Sequence, residues 1–289
     1  MSILKIDGTS LEYAEYGRGE PLVLVHGSAS DYRTWHQQQE EFAQHYRVIV
    51  YSRRYHWPNA QISENADYSM SEHVDDLHTL MQKLDAAPAH LVGHSYGAFL
   101  CLLLAIEKPE FVRSLALAEP PVITLFVSNT PKPLELLRLL VTRPRTAIAV
   151  ISFGTKGMRP ATAAAKGGDA RKAMHRFGRT ILGQHFYDQL SRSRLEQVDA
   201  NSIEAEFLGS GFAPLSAEQV RTVHVPTLLI TGEYSHSMFH RLADRLQELL
   251  PDVERIEIEG ASHMMYEDNA AAFNQAVETF LGKNRQAAS

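Results

Sequence analysis

The sequence has little of what several large classes of protein require. A single cysteine, Cys101, stands among 289 residues, so no disulfide can form within the chain. The longest apolar run extends from Ala98 to Ile106, well short of the roughly 20 residues needed to cross a bilayer. The opening residues, MSILKIDGTS, lack the apolar core of a secretory signal. We therefore expect a cytoplasmic protein with no membrane association.

An excess of positive charge is also missing. The chain carries 28 Lys and Arg against 34 Asp and Glu, a formal net charge of -6. It has no stripe of basic residues of the kind that binds nucleic acid. No Cys/His spacing is typical of a zinc site, and no glycine-rich loop is typical of a phosphate site. The sequence thus predicts a small-molecule partner and no metal or organic cofactor, and it leaves the oligomeric state open.

Short apolar runs that alternate with helical patterns are what the chain does contain. Because buried parallel strands read as continuous apolar runs, strands are predicted at residues 21–27, 46–52, 89–95, 112–121, 225–233 and 253–260. Apolar residues at helical spacing predict helices at residues 70–84, 97–108, 238–250 and 269–281. This alternation predicts an α/β fold, a mostly parallel twisted sheet flanked by helices.

Residues 122–222 interrupt the alternation. They contain helical stretches such as LELLRLLV and DARKAMHRFGRTI, and no clear strand. We predict a core formed by residues 1–121 and 223–289, with residues 122–222 inserted as a helical cap. Because α/β sheets bind ligands at the carboxyl ends of their strands, the cap is expected to cover a ligand site. A separate helical bundle without a role in binding is the alternative.

The segment HLVGHSYGAFL, residues 90–100, carries the strongest chemical signal. It places Ser95 between Gly93 and Gly97, after an apolar strand and before an apolar helix. A tight strand-to-helix turn lifts a serine above the sheet edge and requires small residues two positions on either side. The helix that follows points its positive end at the serine, which favours developing negative charge. Ser95 is therefore predicted to be a nucleophile.

Four segments resemble the α/β-hydrolase superfamily, and they are spread over essentially the whole chain: VHGSAS, GHSYG, PTLLITGE and GASHMMYEDN. The resemblance implies an α/β-hydrolase core with an inserted cap. It implies that the backbone N–H groups of Ser28 and Tyr96 form an oxyanion hole. It also implies that His263 is the general base for Ser95, with a carboxylate partner that is expected to raise the pKa of His263.

The sequence departs from the superfamily at the acid. The usual aspartate position in TGEYSH holds Ser235, which cannot carry the negative charge that stabilises an imidazolium. The alternatives are Glu233 in the same loop, Glu119 at the end of the strand after the nucleophile helix, or no acid in a protein without catalysis. Some members of the superfamily place the acid after that strand, so Glu119 is the preferred candidate, in a Ser-His-Glu triad.

A serine nucleophile favours acyl transfer, so the predicted activity is hydrolysis of a small carboxylic ester or lactone. Hydrolysis of a carbon–carbon bond and perhydrolysis use the same machinery and stay open. A ligand-binding or receptor protein without catalysis is the alternative from another class. Arg53, Arg54 and Trp35 are possible substrate contacts, although either arginine could equally pair with structural acids.

Overall fold

The computed structural model describes residues 1–6, 8–63 and 66–285. Its β-strands are β1 (Ser2–Ile6), β2 (Thr9–Tyr16), β3 (Pro21–Val25), β4 (Arg47–Tyr51), β5 (Ala89–His94), β6 (Val112–Ala118), β7 (Thr227–Gly232) and β8 (Val253–Ile258). Its α-helices are α1 (His36–Phe42), α2 (Met70–Lys83), α3 (Tyr96–Glu107), α4 (Pro133–Thr142), α5 (Pro144–Phe153), α6 (Arg159–Lys166), α7 (Ala170–Asp188), α8 (Arg192–Ala200), α9 (Ala205–Leu208), α10 (Ala217–Arg221), α11 (Ser237–Leu249), α12 (Met265–Asp268) and α13 (Ala270–Lys283).

The strands form one twisted sheet in the order β1-β2-β4-β3-β5-β6-β7-β8. The neighbours from β4 to β8 pair in parallel, whereas β1 and β2 pair antiparallel with each other and β2 pairs antiparallel with β4. Strand β5 lies between β3 and β6. Because parallel strands end at one edge of the sheet, residues that follow β3, β5, β6 and β7 lie side by side there.

Apolar side chains fix this arrangement. Strands β5 and β7 are buried along their whole length, and β3 and β4 at every position but the first. Helix α3 buries ten consecutive residues, 96–105, so it lies against the sheet with apolar contacts on every side. A helix without a polar face is stable only in the interior, and this one follows the Ser95 turn directly. The base of the turn is therefore rigid.

All the regular secondary structure between β6 and β7 is helical. Helices α4 to α10 all belong to this segment, together with a π-helical turn at Gly154–Met158. The structure therefore has the predicted α/β fold, a mostly parallel sheet with helices on its faces and an inserted helical cap. No helix in the described ranges is both long and apolar enough to span a membrane.

Each predicted strand contains an observed one, and each predicted helix overlaps an observed one within a few residues. The amino-terminal pair β1 and β2 was missed. Ser2–Ile6 is mostly exposed, and Thr9–Tyr16 is mostly half-buried. These edge strands therefore lack the continuous apolar run that identified the central strands.

Candidate active site

Ser95 occupies a strained turn between β5 and α3. Its backbone has φ of 51° and ψ of -119°, a region that non-glycine residues rarely adopt. A Cβ on Gly93 would lie 2.5 Å from the Cα of Ala98, and a Cβ on Gly97 would lie 2.3 Å from the carbonyl oxygen of Val25. Close backbone packing thus requires glycine at both positions. The turn holds the Ser95 side chain at the carboxyl edge of the sheet.

The two predicted oxyanion donors lie beside this serine. Ser28, Ser95 and Tyr96 line a common cavity. Tyr96 begins α3, so its backbone N–H has no acceptor within the helix. The loop after β3 passes close by, since a Cβ on Gly27 would lie 3.1 Å from the Cβ of Ser95. Backbone N–H groups at such positions can stabilise an oxyanion that forms next to the serine.

His263 and Glu119 form a hydrogen-bonded pair. The Nδ1 of His263 bonds the Oε2 of Glu119, and the Oε1 of Glu119 accepts a 2.9 Å hydrogen bond from the Gly232 N–H. His263 also lines the cavity that contains Ser95. With Nδ1 donating to the carboxylate, Nε2 is the imidazole nitrogen that can accept a proton. The sequence separates the two residues by 144 positions, and the sheet edge brings them together.

Burial sets the pKa values of this pair. Desolvation lowers the pKa of His263 to about 3, which keeps the imidazole in its neutral, proton-accepting form. Burial raises the pKa of Glu119, while hydrogen bonds from Ser235 and the Gly232 N–H lower it and so favour the carboxylate form that accepts the Nδ1–H of His263. Burial accounts for the lowered pKa of His263, and the opposite effect expected of the carboxylate partner stays a prediction.

Two aromatic side chains hold the imidazole from its faces. Phe239 of α11 stacks on His263 with ring centroids 4.2 Å apart and an interplanar angle of 22°. His94, the residue before Ser95, places its ring 4.6 Å from His263 and donates from Nε2 to the His263 carbonyl oxygen at 2.9 Å. These contacts restrict rotation of the imidazole, as a general base requires.

The other candidate acid points away from His263. Glu233 is exposed, and its Oε2 accepts a 2.8 Å hydrogen bond from the Gly260 N–H. Ser235 is buried and lies next to the Glu119 carboxyl, whose pKa it lowers against the effect of burial. The residue at the usual acid position is therefore a neighbour of Glu119.

Two small lobes open from Ser95. The first, about 70 Å³, is lined by His94, His263 and Met264 from the core and by mainly apolar residues of α7 and α8, together with Arg194. The second, about 30 Å³, is lined by apolar and aromatic residues: Pro121, Ile123, Phe153, Phe177, Ile181, Phe212, Met238 and Phe239. Ser28 and Ser95 belong to both lobes. The helical cap supplies the lining residues of both lobes that do not belong to the core.

The structure places Arg53, Arg54 and Trp35 outside both lobes. Arg53 is buried and donates to the carbonyl oxygens of His26 and Gly27 at 3.2 and 3.0 Å. The Arg54 guanidinium pairs with the carboxylates of Asp76 and Glu72. Trp35 is fully buried against Tyr266. These contacts agree with the structural ion pairs that were the alternative for the two arginines.

Three residues at the site were not predicted: Phe239, Arg194 and Glu206. Phe239 and Arg194 stand in helical segments whose pattern shows only that they are helical. Glu206 of α9 accepts a 2.7 Å hydrogen bond from the Tyr68 hydroxyl and lies 3.5 Å from the Arg53 guanidinium. No local sequence pattern reports such contacts, because they depend on where the cap rests on the core.

The side chains and backbone groups of this arrangement can together perform chemistry. The arrangement joins a serine hydroxyl, a neutral imidazole held by a carboxyl group, and two backbone N–H groups at one cavity. Across residues 1–6, 8–63 and 66–285, no group of three His, Cys, Asp or Glu side chains is placed to hold a metal ion.

Comparison with known proteins agrees with this description. An uncharacterized hydrolase, YraK, of Bacillus subtilis is 33% identical over 132 residues, 46% of this chain and 49% of the relative. The (E)-2-((N-methylformamido)methylene)succinate hydrolase of Acinetobacter baylyi is 33% identical over 104 residues, 36% of this chain and 39% of the relative. These matches thus span half or less of the length of either relative.

Solved structures match over more of the chain. An α/β hydrolase enzyme, MGS-M2, from a Medee basin deep-sea metagenome library superposes with a TM-score of 0.74 at 19% identity and covers 99% of both chains. A family model described as alpha/beta hydrolase fold matches residues 20–270. This range includes strands β3 to β8 and the helical cap. With the family model, the superposition and the hydrolase relatives in agreement, the chain belongs to the α/β-hydrolase fold family.

Proposed function

We propose that this chain is a serine hydrolase of a small carboxylic ester or lactone and that it works through an acyl-enzyme intermediate. One observation carries the proposal. The carboxyl group of Glu119 bonds Nδ1 of His263, and His263 lines the same cavity as Ser95. A nucleophile, a base and an orienting acid would need such an arrangement.

The proposed reaction has two halves. The Ser95 hydroxyl oxygen attacks the substrate carbonyl carbon while Nε2 of His263 takes the hydroxyl proton. The N–H groups of Ser28 and Tyr96 stabilise the oxyanion, which collapses and expels the leaving alcohol as His263 returns the proton to it. Water, deprotonated by His263, then attacks the carbonyl carbon of the acyl-enzyme. The bond to the Ser95 oxygen breaks as His263 returns the proton to that oxygen, and the carboxylic acid leaves. Glu119 holds the imidazole in the required tautomer throughout.

Two further activities would use the same residues, carbon–carbon bond hydrolysis and transfer of the acyl group to peroxide. The lobes that open from Ser95 are small, about 70 and 30 Å³. Their size favours a substrate with a compact acyl group in either of these two reactions. A binding protein without catalysis is the candidate from another class. Because Glu119 supplies a carboxyl group to His263 where Ser235 has none, the contacts support an enzyme.

A substrate screen tests the proposal. The wild-type protein and its Ser95→Ala variant would be assayed with short-chain p-nitrophenyl esters, γ- and δ-lactones and a 1,3-diketone. We expect turnover of at least one ester or lactone by the wild type and none by the variant. Turnover of the diketone alone would point to carbon–carbon hydrolysis. Equal rates for both proteins, or no turnover of any compound, would refute a Ser95-dependent ester hydrolase.

A further inference from the structure

Arg194 is a buried charged residue that the proposed reaction does not use. It lies on α8 and is 8% exposed. It lines the first lobe, together with Ser95 and His263. Every other residue that α7 and α8 contribute to this lobe is apolar, apart from Tyr187 and Gly178. A guanidinium in such surroundings is costly unless it has partners for its charge and its N–H groups.

The protein provides hydrogen-bond acceptors for only some of the N–H groups of this guanidinium. Its Nη1 donates to Gln197 Oε1 at 2.6 Å, to Thr34 Oγ1 at 3.1 Å and to Ser30 Oγ at 3.4 Å. All three acceptors are neutral. Within the described residues, Nε of Arg194 is buried and has no hydrogen-bond partner. A buried donor without an acceptor destabilises the folded protein, so a ligand that supplies an acceptor would be bound favourably here.

Glu267 forms a long ion pair with Arg194. The Oε1 of Glu267 lies 3.6 Å from Nη1 and also accepts a 3.4 Å hydrogen bond from Thr34. The carboxylate of Asp31 is occupied by Arg33, Gln197 and Asn201. Within the described residues, the charge of Arg194 is therefore balanced through this long ion pair, and its Nε stays without an acceptor.

The two lobes differ in their lining, and this difference indicates which lobe binds the leaving group and which binds the acyl group. A leaving group must lie within reach of the general acid, and His263 lines the lobe that contains Arg194. The other lobe has an apolar and aromatic lining beyond Ser28 and Ser95. From these contacts, and on the basis of the proposed function, we propose that Arg194 binds a carboxylate on the leaving group of a substrate whose acyl group is apolar.

A matched pair of esters tests this assignment. The substrates would be 4-(butanoyloxy)butanoate and its terminal carboxamide, which have the same length and differ in charge. We expect kcat/KM to favour the carboxylate by about 10- to 100-fold, the range of a charge-assisted hydrogen bond. A ratio near one, or a preference for the amide, in the wild-type protein would overturn the proposal without any variant being needed.

Variants locate the effect. Arg194→Met should abolish the preference because it lowers kcat/KM for the carboxylate by about 10- to 100-fold more than that for the amide, and Arg194→Lys should restore part of it. Arg192→Met is the matched control, because Arg192 lies two residues earlier on the same helix, is 93% exposed at its side chain and pairs with Glu196. Equal losses for both esters in Arg194→Met would assign the residue to structure alone.

Binding separates this proposal from the proposed function. The free alcohols, 4-hydroxybutanoate and 4-hydroxybutanamide, would be titrated into the Ser95→Ala variant by calorimetry. Tighter binding of the carboxylate, lost in the Ser95→Ala, Arg194→Met double variant, would support the anion subsite even if no ester were hydrolysed. Equal affinities, or binding that Arg194→Met does not alter, would reject the subsite even if the esterase activity were established.

Discussion

At the scale of single residues, Glu119 explains how the site tolerates a serine where the superfamily usually has an aspartate. Its backbone has φ of 50°, a strained conformation for a residue with a side chain, and it follows the last residue of β6 directly. Both carboxyl oxygens are used, one by His263 and one by the Gly232 N–H. Strain at a residue with such contacts is typical of functional sites.

Replacement of Glu119 tests its role in orienting His263. Glu119→Gln should lower kcat by about 10²- to 10⁴-fold, as loss of the carboxylate does in related triads, with little change in the thermal midpoint of unfolding. Glu233→Gln is the matched control and should change kcat less than twofold, because Glu233 contacts Gly260 at the surface. The opposite ranking of the two variants would assign the acid to Glu233.

The pKa of His263 predicts the pH profile. Burial lowers this pKa from its usual value near 6.5 to about 3, since the charged imidazolium loses its hydration. The base therefore stays neutral as the pH falls through 6.5, and kcat/KM should keep its plateau there and decline only at lower pH. An acid limb with an apparent pKa of 6.5 or higher would show that the carboxyl partner outweighs burial.

At the scale of secondary structure, the sequence predicted the elements that have strong local patterns. The central strands and the helix after Ser95 were found because continuous apolar runs and flanking glycines report burial directly. The edge strands β1 and β2 lack that pattern. Contacts of Glu206 and Arg194 with the core were also beyond prediction, because they join segments more than 100 residues apart.

The helical cap is predicted to control substrate choice. Phe177 and Ile181 of α7 line both lobes, so Phe177→Ala and Ile181→Ala should change the ratio of kcat/KM between acetyl and hexanoyl esters by about tenfold or more. Labelling by a small fluorophosphonate should change much less. Leu137→Ala, at an exposed position on α4, is the control. Equal changes in ester preference and labelling would make the cap a stability element only.

Glu206 links this cap to the loop that carries Ser28. It bonds Tyr68, lies 3.5 Å from Arg53 and has the Ser28 hydroxyl beside it, while Arg53 holds the carbonyl oxygen of Gly27. Glu206→Gln should therefore lower kcat by about tenfold with KM nearly unchanged, because the oxyanion loop loses a charged anchor. The exposed neighbour variant Glu204→Gln should match the wild type. A rise in KM without a change in kcat would contradict this role.

At the scale of the whole molecule, the order of strands explains how distant residues meet. The loops after β3, β5, β6 and β7 contribute Ser28, Ser95, Glu119 and Ser235 in turn, and His263 follows β8. Since β3, β5, β6, β7 and β8 are parallel neighbours, all of these residues lie at one edge of the sheet. The inserted cap covers that edge, and the cavity lies between the two.

Activity should not depend on a metal ion. The proposed steps use only side chains and backbone N–H groups, and the sequence contains no ligand spacing typical of zinc. Exhaustive dialysis against EDTA or 1,10-phenanthroline should leave kcat within twofold of its starting value. A loss of activity that added zinc or manganese restores would require a different mechanism.

The central claim is that Ser95 is the nucleophile, and mass spectrometry after reaction with a fluorophosphonate tests it most directly. The account predicts one adduct per chain, mapped to the peptide that contains Ser95, and no adduct on a folded Ser95→Ala variant. An adduct on a different serine, or an unlabelled wild-type protein that still hydrolyses esters, would contradict it.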